Sequence, residues 1–129
     1  MASPNWIDGV YDGGVGYFTD AGDNVTRVDV CTTEPTTHTE ATSTYTVGNY
    51  TIDNTDFSLA AGDTSGRKAT LAQQTGNNGT GTGAANFVAF TKTVGSVFVG
   101  VIDGDGDTVN SGSPFTINAV DVLEIRDAT

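Results

Sequence analysis

Residues 87–103 read FVAFTKTVGSVFVGVID, two runs of β-branched and aromatic residues, Phe87–Thr91 and Ser96–Ile102, joined across Val94-Gly95. Both runs are too short for an ordinary globular helix, and their composition suits a pleated surface. The stretch therefore predicts two strands joined by a tight turn, and their near-continuous apolar character predicts cover on both faces. Left bare, Val97–Ile102 would be an aggregation hazard.

The same reading extends in both directions. Phe115–Ile117 and Ala119–Arg126 are expected to complete the sheet on the C-terminal side. Upstream, Val25–Cys31 alternates Val28 and Val30 against Arg27 and Asp29, the pattern of a strand with one wet face, and Pro35 ends it. Tyr45, Val47, Tyr50 and Ile52 read as a strand interrupted by Gly48. Phe57–Ala60 and the alternating Lys68–Gln73 follow, separated by a dense turn at Gly62–Arg67. Tyr17-Phe18 is expected to be the first strand, Thr36–Thr46 an extended connection or edge, and Gln74–Gly83 a flexible loop. Leucine occurs only at Leu59, Leu71 and Leu123, and no stretch places apolar residues at helical spacing over two turns. The expected fold is all-β, a compact antiparallel β-sandwich or barrel-like domain with little or no helix. Residues 13–129 form the single β domain, and residues 1–12 are an N-terminal arm.

Composition bounds the function. A chain of 129 residues with 36% hydrophobic residues has room for one domain with a thin core. Sixteen acids against five basic residues give a net charge of −11, the wrong sign for neutralising a phosphate backbone, so no nucleic-acid partner is expected. The start of the chain lacks a basic stretch followed by an apolar one, and no apolar run approaches the ~20 residues that span a bilayer. Neither export nor a membrane partner is expected. Cys31 is the only cysteine, which excludes an intramolecular disulfide and suits a reducing cytoplasm.

Asp103-Gly104-Asp105-Gly106-Asp107 places three carboxylates two residues apart, a spacing that can converge on calcium. As a calcium loop of the helix–loop–helix type it fails: the sixth position is Thr108 where glycine is needed, and the twelfth is Pro114 where a bidentate glutamate is needed. A solvated acidic turn is the better reading, with a calcium-stabilised domain built on Asp103, Asp105 and Asp107 as a minor alternative. Cys31, Glu34, His38 and Glu40 cluster in sequence, yet neither a full zinc ligand set nor an oxyanion hole accompanies them. Gly62–Arg67 reads as a plain turn in preference to an anion-binding nest. With one histidine, no nucleophile elbow and no phosphate loop, no enzymatic activity, cofactor or structural metal is expected. The N-terminus is unusually rich in large apolar residues, Trp6, Ile7, Tyr11, Tyr17 and Phe18, and either caps an open end of the sheet or docks on a partner.

Several elements taken in order resemble a known family. Tyr11-Asp12 leads through Tyr17-Phe18 to Val28-Asp29-Val30-Cys31 and Pro35; Gly62-Asp63-Thr64-Ser65-Gly66-Arg67-Lys68 follows; then come residues 81–90, GTGAANFVAF, and residues 120–127, VDVLEIRD. In order and spacing they resemble the small all-β decoration, or cement, proteins of tailed bacteriophage capsids. The resemblance spans most of the chain and implies a non-enzymatic virion protein, made in the host cytoplasm, that binds the outer surface of the major capsid protein lattice. It also implies contacts with neighbouring copies, as a trimer or as adjacent subunits. It supplies no contact residues. The aromatic N-terminus alone nominates Pro4, Trp6, Ile7 and Tyr11 as the capsid interface. The alternative is a tail or head-fibre module binding a host glycan or surface receptor through Gln74–Gly83, with Tyr45, Tyr50 and Asn77-Asn78 exposed to stack on and hydrogen-bond to sugar.

Overall fold

In the computed structural model, residues 5–7, 10, 14, 16–20, 22–62 and 66–125 are described. The strands are β1 (Asn5–Trp6), β2 (Arg27–Cys31), β3 (Thr46–Thr51), β4 (Phe57–Ala61), β5 (Arg67–Leu71), β6 (Gly83–Ala84), β7 (Phe87–Lys92), β8 (Val97–Asp103), β9 (Thr108–Val109) and β10 (Val120–Ile125). They form a five-stranded antiparallel sheet in the order β1-β8-β7-β2-β3, a three-stranded antiparallel sheet β10-β5-β4, and a short β6-β9 ribbon. One apolar core lies between the two larger sheets, with Val28, Tyr50 and Phe90 from the first meeting Phe57, Leu71 and Val122 from the second. The fold is an all-β sandwich and not a closed barrel, since among the described residues no strand pair joins the two sheets.

The 87–103 stretch forms the expected hairpin, β7 against β8, with its tip at residues 93–96. Its register carries one irregularity. Phe90 faces Gly100 and Thr91 faces Phe98, so Val99 is an extra residue on β8. This bulge puts Val99 into the inner core while Phe98 packs outside. Gly100 lies in register between Trp6 on β1 and Phe90 on β7. With no side chain there, the Trp6 and Phe90 rings lean together to 5.5 Å between centroids, although their strands are not adjacent.

Four expectations are corrected. β10 does not complete the large sheet; it pairs with β5 in the second one, through Val120–Leu71 to Ile125–Arg67. Tyr17-Phe18 is not a strand but part of a single helical turn, Gly16–Thr19, entered through Gly14 at φ +61°. That turn drives Phe18 inward, edge-on to Trp6 at 5.2 Å and against Phe57 at 5.2 Å. The polar 36–46 connection is not extended either. It coils into a π-helical turn, Glu40–Thr44, opened by Glu40 accepting from both the Thr36 amide and hydroxyl and closed by the Tyr45 amide donating to the Glu40 carbonyl. Its Ala41 is fully buried on Cys31 and Ala89, a second small core on the outer face of the large sheet. The face of β2 carrying Asp29 is therefore dry, and Asp29 is completely buried. Arg27 reaches it with two hydrogen bonds of 2.8 and 2.9 Å, while its guanidinium also donates to the Thr42 carbonyl at 3.1 Å.

The fourth correction concerns residues 74–83, which are fastened along their length. Gln74 and Ile117 exchange two backbone hydrogen bonds of 2.9 Å, and Phe115 donates to the Asn77 carbonyl at 3.0 Å. Gly79 donates to Ser113, while Thr80 and Gly81 both donate to Val47 on β3. The segment thereby covers part of the open edge of β3, one of the ways natural sheets block edge-to-edge association.

Candidate functional site

A cleft of about 440 Å³ lies where the β6-β9 ribbon and the end of the large sheet meet the 114–120 strip leading into β10. Its floor is apolar: Val30 on β2, Val88 on β7, Val109 on β9 and Ile117 are all buried. Its mouth is acidic, formed by Asp103, Asp105 and Asp107 with Asn118 opposite. Among the described residues that line it, none is basic. The volume falls in the range of small binding pockets, roughly 300–1,000 Å³.

Backbone chemistry fixes the acidic turn. The Gly104 amide donates to the Asn86 carbonyl at 2.8 Å, the Gly106 amide to the Ala85 carbonyl at 2.9 Å, and the Ala85 amide to the Asp107 carbonyl at 2.8 Å. Gly104 lies so close to the Ala85 carbonyl that any Cβ would collide with it, and Gly106 sits at φ +80°. These two glycines are the reason the turn reads D-G-D-G-D. The Asp105 carboxylate accepts from the Asp107 amide at 3.0 Å and from the Asn118 side chain at 3.3 Å, tying the turn across the mouth to the 114–120 strip. Among the described residues no three His, Cys, Asp or Glu side chains are grouped to hold a metal ion.

The other candidate residues are distributed differently. Pro4 and Tyr11 lie outside the described residues. Trp6 is buried in the main core, with its indole N–H unpartnered, and Ile7 is half-buried beside it, its amide bonded to the Val99 carbonyl at 2.9 Å. Cys31 is sealed in the outer core with its thiol directed at the Ala41 carbonyl. Burial, helped by the Asp29 charge, pushes that thiol up to about 12, which removes it as a nucleophile at neutral pH. Glu40 is occupied by Thr36, whose amide and hydroxyl hold its carboxyl below the ordinary range.

Of the residues expected to be exposed for sugar binding, Asn77 and Asn78 are exposed, whereas Tyr50 is corrected. Tyr50 is buried, its ring tilted against Phe115 at 4.9 Å between centroids with its hydroxyl donating to the Phe115 carbonyl. Tyr45 packs on the outer core, and the Asn77 side-chain amide is engaged by the Asn49 carbonyl at 2.9 Å. The alternation of β2 marked Asp29 as a solvated residue, whereas Arg27 and the π-helical turn seal it. The cleft floor was not legible because Val30, Val88, Val109 and Ile117 come from four separate segments; only the acidic rim left a local signal. No helix among the described residues is long and apolar enough to cross a membrane. The chain matches no family model, no curated protein and no solved structure.

Proposed function

We propose that this chain is a structural virion protein that binds the outer surface of a tailed-phage capsid as a decoration subunit and stabilises the shell. One observation carries the reading beyond the resemblance of its sequence elements. The residues with the most chemical potential are built into the fold: Cys31 is sealed, Asp29 is clamped by Arg27, and Glu40 and Asp53 hold local turns. The described residues of this acidic chain also form a cleft with an apolar floor and an acidic rim. Shell reinforcement asks for complementary surface in many copies and no reactive centre, and multivalency makes a modest affinity per site sufficient. An exterior position also keeps a chain of charge −11 away from packaged DNA.

Co-sedimentation with empty shells of the cognate major capsid protein tests this. Saturable binding at a fixed ratio to capsid subunits is expected. Absence of binding, together with retention on a glycan array, would replace this reading with the fibre-module alternative.

A further inference from the structure

We infer that two copies of this chain pair edge to edge through β4, antiparallel about a two-fold axis at Leu59. The inference goes beyond the proposed function and stands whether or not the chain decorates a shell. Its basis is a contrast among the edges of the two larger sheets. β3 is covered by the 74–83 segment, which bonds the Val47 and Asn49 carbonyls. β1 is only two residues long, and β10 carries a bulge between Asp121 and Leu123. β4 runs Phe57-Ser58-Leu59-Ala60-Ala61 in unbroken register with β5. It has no bulge, no charged residue and no proline, the devices by which natural edges discourage pairing.

The ladder fixes which backbone groups face outward. The Ala72 amide donates to the Asp56 carbonyl at 2.8 Å, and the Gly62 amide to the Gly66 carbonyl at 3.0 Å. In an antiparallel pair such bonds fall on alternate residues, so Ser58 and Ala60 turn their groups towards β5 while Phe57, Leu59 and Ala61 turn theirs away. The Phe57 amide is taken by the Asn54 carbonyl. Among the described residues, the Leu59 amide and carbonyl, the Ala61 amide and the Phe57 carbonyl have no hydrogen-bond partner. A second copy supplies all of them: each Leu59 amide meets the other Leu59 carbonyl, and each Ala61 amide the other Phe57 carbonyl. The Leu59 side chain is 41% exposed although its cross-strand neighbour Ala69 is fully buried, and it gains a matching leucine at the axis. Charge selects the same partner and the same direction. Asp53 and Asp56 lie at the start of β4, whereas Arg67 and Lys68, two of the five basic residues of the chain, pair with Ala61 and Ala60 at its end. Antiparallel pairing brings the acidic end of one copy to the basic end of the other, and parallel pairing would set like ends together.

Sedimentation equilibrium of the purified full-length chain tests the inference, with folding of every variant checked by its thermal transition. A reversible monomer–dimer equilibrium is expected below about 1 mM, the regime of a small transient interface. Leu59→Lys sets two ammonium groups at the axis, and Ala61→Pro removes an outward amide without touching the bonds to β5. Each should weaken dimerisation by about tenfold or more. Val94→Lys makes the same change as Leu59→Lys at a residue 76% exposed on the β7-β8 turn, and should stay within about twofold of the unaltered chain. Oxidation reads the register, since Cys31 is buried and only an introduced thiol can cross-link. Leu59→Cys should form a covalent dimer, because residues facing each other in a hydrogen-bonded pair lie about 5.5 Å apart, whereas Ser58→Cys should not, because position 58 faces position 60 of the other copy. Dimerisation unaffected by Leu59→Lys and Ala61→Pro would overturn the inference, as would equal weakening by Val94→Lys or equal cross-linking of Ser58→Cys. A chain that stays monomeric to about 1 mM overturns it outright. Loss of shell binding by Leu59→Lys in such a monomer would then assign the β4 edge to a strand of the shell protein.

Discussion

Replacing Gly48 by alanine should destabilise the protein, although the general rule for a strand predicts the opposite. In a strand interior glycine costs about 0.5–1 kcal/mol relative to alanine through the freedom it loses on folding, so alanine normally stabilises. Gly48 lies in the middle of β3, and a Cβ added there would stand 2.5 Å from Phe115 Cε1 and 2.6 Å from Cζ. The ring has little room to withdraw. It is buried, lies 4.9 Å from the Tyr50 ring, and its residue is held by the Asn77 carbonyl on one side and the Tyr50 hydroxyl on the other. Overpacking of this kind costs about 1–3 kcal/mol, which outweighs the backbone gain and leaves a net loss of about 1–2 kcal/mol. Urea unfolding should show a lower midpoint with an unchanged slope, a pure stability change. In a Phe115→Leu background the same substitution should cost markedly less, because the colliding atoms are gone. Equal or greater stability of Gly48→Ala in the unaltered background would refute the packing of Phe115 over β3.

The remaining predictions concern buried groups and titration. Arg27→Met strands the fully buried Asp29 carboxylate and should cost about 3–5 kcal/mol in chemical denaturation. Trp6→Ala should destabilise by about 3–5 kcal/mol, since its ring packs on Phe18 and Phe90; loss of shell binding without loss of stability would instead place Trp6 at an interface. The Cys31 thiol should resist a thiol reagent at pH 8 in the native protein and react as urea unfolds the chain. Its native value of about 12 lies above the unfolded one, so its contribution to stability is full below about pH 8.5 and is lost as pH rises towards 12. On the acid side, Asp121 is held low by the Thr70 hydroxyl and then by Lys68, and Asp53 by Thr55. Stability from these carboxylates is present above about pH 4 and falls as pH drops through their lowered native values. Thr70→Val should move the Asp121 titration upward, as followed by carboxyl NMR.

The sequence was most legible where burial is local. The continuous apolar runs of β7 and β8 need cover on both faces, and the alternation of Ala69 and Leu71 in β5 needs cover on one, so both are visible without tertiary knowledge. Sheet membership was not legible. The residues of β10 would suit either sheet, and only their pairing with Arg67–Leu71 settles which one they join. The helical turns escaped because neither comes from a periodic pattern. Gly16–Thr19 is shaped by the burial of Phe18, and Glu40–Thr44 by the burial of a single alanine on Cys31 and Ala89. That second turn also explains Asp29: once it covers the sheet, a position that alternation assigns to solvent becomes interior, and Arg27 must accompany it. Of the candidate site, the acidic rim could be read directly, whereas its apolar floor is assembled only by the sandwich.

Calorimetry of empty shells with and without the protein tests the central claim most directly, because binding and reinforcement are read together. At saturation the shell transition should rise in temperature, with the rise tracking occupancy and vanishing when the protein is washed away at high salt. A transition that stays in place on shells shown to be fully occupied would contradict a stabilising role.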